Sequence, residues 1–339
     1  MNPIDPPRIF GECLGKALFK SFHEDFQVEE MLGWQPSGDG EHCFLWIEKT
    51  GCNSNEVAAE IADRLGIRKR LISHCGLKDK NAITRQWFSI HLPGIRSPTP
   101  RELKADNFRV LKDTRNLRKL RRGAHRGNRF TIRLRDCQFS PAQLTARWRQ
   151  IATRGVPNYF GPQRFGQSGG NIEQALKLAS GETVVRDRLV RGILISSLRS
   201  YLFNACVGER VLNGNWDQPL SGEVYGFANN RSVIFPRNQT GDEPSRFQKR
   251  QLELSSPLWG QGDLASEKEV AELEASVVSG YPQIRMAVEG FGLKQQRRVI
   301  RATPSGIEFE WEDPTTLCLR FELPKGVYAT AIIRELIAI

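Results

Sequence analysis

Residues 76–90 read GLKDKNAITRQWFSI, so Lys78, Asp79 and Lys80 stand together between a glycine turn and an aromatic-bearing run. Flanking cations favour the anionic form of an aspartate, which is the form a nucleophile or general base needs. Residue types alone equally allow an exposed turn whose charges simply stay hydrated. The segment HRGNRFTIRLRD, residues 125–136, sets Asn128 and Phe130 at a strand entrance, an amide able to hydrogen-bond and a ring able to stack on an unpaired base. The plainer alternative there is a turn amide and a core ring. LFKSFHEDFQVEE, residues 18–30, puts Lys20 just before an acidic, Phe-containing strand.

Charge gives these groups a context. The chain of 339 residues carries 49 Lys and Arg against 38 Asp and Glu. Residues 101–136 hold 13 cations and four acids, among them Arg115, Arg118, Lys119, Arg121, Arg122 and Arg126. Lys294, Arg297, Arg298 and Arg301 form a second, smaller cluster. Concentrated cations attract a polyanion by counterion release, and nucleic acid is the commonest one in the cytoplasm. With Lys78 and Lys80, the first cluster forms a candidate nucleic-acid track.

The elements that must position these groups can be read from periodicity. Residues 42–48 alternate Cys43, Leu45 and Ile47 against Phe44, Trp46 and Glu48, as a strand does. A helix follows, with Asn53 as N-cap, Glu56 three residues on and Gly66 as its stop. Residues 86–92 return to an extended pattern. The clearest strand runs from 129 to 135, with Phe130, Ile132 and Leu134 on one face and Thr131, Arg133 and Arg135 on the other. Ser140 and Pro141 open a helix that ends near Gly155. Residues 155–170 are turn-rich. Helical patterns then cover 172–180, 188–212, 266–278 and 328–339, a strand pattern covers 315–323, and residues 214–262 show little periodicity. Strands and helices interleave without the regular alternation of a doubly wound sheet, so mixed α/β with antiparallel pairing is expected.

Composition excludes several classes. With 39% apolar and 26% charged residues, 18 Phe and 7 Trp, the chain is neither disordered nor collagenous. Its apolar runs reach about seven residues, where a membrane span needs roughly 20. Asp5 and two early prolines argue against a signal peptide, so a cytoplasmic location is expected. Seven scattered cysteines without a C-x-x-C pair fit reduced thiols. His42-Cys43 and His74-Cys75 are adjacent pairs without finger spacing, so no metal is expected, only core cysteines beside surface histidines.

In chain order, EDFQVEE (24–30), GLKDKNAITRQWF (76–88), RGNRF (126–130), GVPNYFGPQRFG (155–166) and ELPKGVYATAIIREL (322–336) resemble the motifs of the TruD family of tRNA pseudouridine synthases. The resemblance implies an α+β pseudouridine synthase fold with a mostly antiparallel sheet, built from residues 1–154 and 304–339. An inserted α/β domain, residues 155–303, interrupts it. It also implies that Asp79 is the nucleophile, acting on the uridine ribose or base, and that Lys20 is its basic partner. Asn128 and Phe130 match the family's active-site amide and stacking ring, and the implied target is uridine 13 of the tRNA D-arm, which makes the nucleic-acid track an RNA track. A buried, charged Asp79 close to Lys20 and Phe130 is therefore expected. No cofactor is expected, because the rearrangement is redox-neutral, and the expected state is a monomer. Two rival readings stand beside this one. One is a non-catalytic RNA-binding or RNA-remodelling protein using the same basic groove; the other is a lysine or cysteine enzyme acting through Lys78, Lys80 and Cys75 on a small anion.

Overall fold

The computed structural model describes residues 1–227 and 232–338. Seven strands come before residue 136: β1 (Leu18–Phe19), β2 (Phe26–Met31), β3 (His42–Thr50), β4 (Ile72–His74), β5 (Ile83–His91), β6 (Phe108–Asn116) and β7 (Gly127–Arg135). The helices are α1 (Ser54–Arg64), α2 (Pro141–Arg154), α3 (Gly170–Ala179), α4 (Arg188–Leu212), α5 (Glu243–Gln248), α6 (Lys268–Ser279), α7 (Pro282–Gly290) and α8 (Ala329–Ile333). Later strands are β8 (Val156–Pro157), β9 (Tyr225–Gly226), β10 (Val233–Ile234), β11 (Glu253–Leu258), β12 (Gln296–Val299), β13 (Arg301–Ala302), β14 (Ser305–Trp311) and β15 (Leu317–Pro324).

β1 to β7 join β14 and β15 in one nine-stranded sheet. Its main order is β14-β15-β7-β2-β5-β3-β6, with β1 on β7 and β4 on β5. Every pairing in it is antiparallel except the central one, β2 with β5. The strands between 156 and 302 lie in other sheets, a four-stranded one ordered β10-β9-β11-β12 and the two-stranded β8-β13. The architecture is α+β with a mixed, mostly antiparallel main sheet.

Local sequence explains the main elements. Glu56 accepts from the Asn53 backbone N–H at 2.8 Å to open α1, and Ser140 and Gln143 bond each other reciprocally at the start of α2. Val57 and Ile61 of α1 pack on Cys43, Leu45, Ile47, Phe88 and Ile90, each fully buried side chain contributing about 2 kcal/mol. Leu144, Trp148 and Ile151 of α2 cover the other half of the sheet, with Phe130, Ile132, Leu134 and Phe321. The long α4 packs through Leu194, Leu198 and Leu202 into a separate core.

Two expectations need correction, and two segments take on structure that periodicity left unread. The terminal helical pattern from 328 is helix only over Ala329–Ile333; Ile337 then bridges Gly15, and residue 339 lies outside the described residues. Residues 214–262 hold two short strands, a short helix and the buried β11. β6, inside the basic stretch, is an edge strand whose charged face suits an edge. The three arginines of the second basic cluster are structural, while Lys294 is exposed. Arg297 pairs with Glu274 at 2.8 Å and Arg301 with Glu253 at 2.9 Å, all four side chains buried, while Arg298 donates to Asn158 and Gly326.

Gly155 ends α2 and starts the β8-β13 pairing, where Ala302 sits opposite Val156. Its φ is +72°, and a Cβ there would lie 2.8 Å from Ala302 O and 2.9 Å from Thr303 Oγ1. Gly155→Ala is therefore expected to lower unfolding free energy by at least about 2 kcal/mol, read from the urea midpoint. An unchanged midpoint would show that this junction yields without cost.

Candidate active site

Parallel pairing explains why residues 59 positions apart meet. β2 and β5 run side by side in the same direction, so the segments leading into them, with Lys20 and Asp79, come together. Lys20 Nζ lies 2.9 Å from Asp79 Oδ2. The same ammonium sits 3.8 Å from the centre of the Phe26 ring, whose centroid is 6.1 Å from that of Phe130. Lys20 has φ +61°, a left-handed conformation costly for a side chain with a Cβ, and this ion pair and ring contact hold it there.

Antiparallel register places the remaining groups on one face. Glu30 is opposite Asn128, Val28 opposite Phe130 and Phe26 opposite Ile132. Residues 75–82 cross over this face. Lys78 Nζ donates to Glu30 Oε2 at 2.8 Å near one end, and Ala82 joins the core of Phe26, Val28 and Phe130 at the other. Asn128 Oδ1 is buried and has no partner among the described residues. Such an acceptor costs about 1–3 kcal/mol if nothing ever bonds to it.

The expected buried acid is in fact half-open: the Asp79 side chain is 41% exposed and that of Lys20 14%. Lys78, expected in a candidate RNA track, is not on the surface. Its ammonium is buried against Glu30, away from any polyanion, and only the exposed Lys80 flanks Asp79 towards solvent. Arg115 is also removed from the track, since its guanidinium donates to the carbonyls of Gly40, Leu92 and Ile95 and to Ser97. The cationic face of β7 is neutralised by Arg129–Glu322, Arg133–Glu312 and Arg135–Asp25 pairs. Arg118, Lys119, Arg121, Arg122 and Arg126 remain exposed, and among the described residues only Arg126 meets an acid, Glu322 at 3.4 Å. Phe130 is 6% exposed and stacks on Phe321 at 5.6 Å, so it is a floor ring rather than an open platform.

Lys49 is a functional candidate that the sequence reading missed. It is fully buried, and its ammonium donates to the main-chain carbonyls of Asp79 and Cys52, both at 2.7 Å. The signal was present: position 49 continues the inward series Cys43, Leu45, Ile47. Burial, the largest cause, pushes the Lys49 pKa down to about 8. Between pH 8 and its unfolded value near 10.5 the unfolded chain holds a proton that the folded one lacks, so the Lys49 contribution to stability rises with pH across that window. Subtracting the urea stability of Lys49→Met from that of the wild type should expose this rise. A flat difference from pH 8 to 10 would refute the buried ammonium.

The cysteines are free thiols. Cys43 and Cys75 are buried, as expected, and His42 and His74 are partly covered. Cys75 lies with Glu30 and His125 so that their ligand atoms fall within 4.8 Å of one another, and the cation already serving Glu30 there is the Lys78 ammonium. Burial pushes the Cys75 thiol up to about 12, which deprives the small-anion reading of a thiolate.

The ordered motifs converge. Four of them lie on the neighbouring strands β15, β7, β2 and β5, and Gly161 of the remaining one abuts Thr330 so closely that a Cβ would come within 2.7 Å of its hydroxyl. No described helix is long and apolar enough to cross a membrane.

The family model described as tRNA pseudouridine synthase D (TruD) matches residues 14–174 and 179–336. A tRNA pseudouridine synthase D of Pseudomonas fluorescens (strain Pf0-1) is 40% identical over 331 residues, covering 98% of this chain and 94% of its own. One from Stutzerimonas stutzeri (strain A1501) is 41% identical over 333 residues, covering 98% and 96%. A solved TruD-named chain from Methanosarcina mazei shares the fold, with a TM-score of 0.69 at 19% identity over 100% of this chain and 96% of that one. On these matches, and with its motifs on adjoining strands, the chain belongs to the tRNA pseudouridine synthase D (TruD) family.

Proposed function

We propose that the protein isomerises a tRNA uridine to pseudouridine, with Asp79 as nucleophile and uridine 13 of the D-arm as target. The reading rests chiefly on the 2.9 Å Lys20–Asp79 pair, an anion made tolerable beside a polyanion and set against the Phe26 ring. Asp79 attacks the ribose or the base, the bond from the sugar to N1 breaks, and the sugar is rejoined to C5 as the bond to Asp79 breaks and frees its carboxylate. The C5 proton leaves and N1 gains one, so the reaction is redox-neutral and needs no cofactor. Asn128 Oδ1 is the free acceptor for a base N–H, and Phe130, carried on Phe321, forms the apolar floor beneath the flipped base. Flipping costs a few kcal/mol, which these contacts offset.

The phosphate track in this reading is Lys80, Arg118, Lys119, Arg121, Arg122 and Arg126. Residues 1–154 with 304–339 make the catalytic domain, and residues 155–303 the insertion. The protein acts in the cytoplasm as a monomer. Incubation with an unmodified tRNA transcript, followed by pseudouridine mapping, tests the function. One new pseudouridine at position 13 is expected, and none in a transcript carrying cytidine there. Unchanged nucleosides would favour the non-catalytic RNA-binding protein.

A further inference from the structure

A groove of about 580 Å³ opens beside β4, and its charge is of one sign. Lys69 and Arg70 line it from one segment, Lys119, Arg121 and Arg122 from another some fifty residues away, and no acidic side chain lines it. All five cations are exposed, and none forms an ion pair with a described residue. This sets them apart from the second basic cluster and from β7, where carboxylates neutralise most of the arginines. Like charges gathered in one concavity repel each other, and an external polyanion relieves that repulsion. Position matters as well. His74, in the groove wall, ends β4, and the chain passes from it through four residues to Asp79.

We infer that this groove extends the proposed phosphate track through Lys69 and Arg70 and holds a phosphodiester segment away from the target nucleotide. The inference rests on the reading of the protein as a tRNA-modifying enzyme. It adds a contact from outside the basic stretch. An open groove with cations from two separated segments suits a chain of phosphates better than one phosphate group.

The test uses a Lys69→Ala/Arg70→Ala double variant, two exposed side chains whose loss leaves the core intact. With unmodified tRNA, KM is expected to rise roughly tenfold at unchanged kcat, and the slope of log affinity against log salt to become shallower by about two. Unchanged KM and slope in an active enzyme would overturn the groove while leaving the catalytic reading intact. If the wild type binds tRNA with this groove-dependent slope but makes no pseudouridine, the catalytic reading fails and the groove stands. Saturation of the wild type by micromolar inorganic phosphate, lost in the double variant, would identify a small-phosphate site and overturn the phosphodiester assignment.

Discussion

Asp79→Asn is expected to lower the single-turnover rate of pseudouridine formation by roughly 10⁴-fold or more, with tRNA affinity within about twofold of wild type. The substitution is nearly isosteric, so it changes charge rather than shape. Asparagine keeps an oxygen for Lys20 Nζ, now 2.9 Å from Oδ2, but offers no anion to form a covalent bond. Affinity should survive because the proposed phosphate contacts lie mainly on the cations from Arg118 to Arg126 and on Lys69 and Arg70, with Lys80 alone beside Asp79. The half-exposed carboxylate repels RNA slightly, so removing its charge should not weaken binding. Filter binding and a rapid-quench assay on the same preparation separate the two effects. A variant within tenfold of the wild-type rate would remove Asp79 from the nucleophile's role.

Much of the site was legible because strands declare themselves by period two. Phe130, Ile132 and Leu134 were read as one face, and the structure has them buried together with Asn128 two residues before on the same side. The helices with strong caps at Asn53 and Ser140 were legible for the same local reason. What escaped was whatever depends on partners far away in sequence. Lys78 reads as a surface charge until Glu30 is found beside it, and Arg129, Arg133 and Arg135 read as a cationic face until β15 and the chain around it supply Glu322 and Glu312 and the turn before β2 supplies Asp25. β11 escaped because it is a strand buried on both sides yet written ELSSPL, its Glu253 matched by Arg301 and its Ser255 by the Val224 carbonyl. Lys69 and Arg70 escaped because the charge excess was sought in one continuous stretch, whereas the groove is assembled from two.

Removing the Glu30 carboxylate should produce the largest loss of stability at the site. Its side chain has no solvent exposure; Oε2 accepts from Lys78 at 2.8 Å and Oε1 from the Trp87 backbone N–H at 3.2 Å. Glu30→Ala leaves a buried ammonium without its counter-ion and a strand N–H without its acceptor, and is expected to cost about 3–5 kcal/mol in urea unfolding. Glu30→Gln, which retains an oxygen and the volume, should lie between the two. A Glu30→Leu/Lys78→Met double variant removes both charges and should recover most of the stability, because a buried pair replaced by apolar groups of similar size is often neutral. Activity should not recover with it. Lys78 directly precedes Asp79, and its tether to β2 fixes how the loop crosses the sheet face, so kcat of the double variant should remain at least tenfold down at unchanged tRNA affinity. Wild-type stability in Glu30→Ala would mean that Lys78 swings out into water, and full kcat in the double variant would mean that Lys49 alone, through the Asp79 carbonyl, holds Asp79 in place.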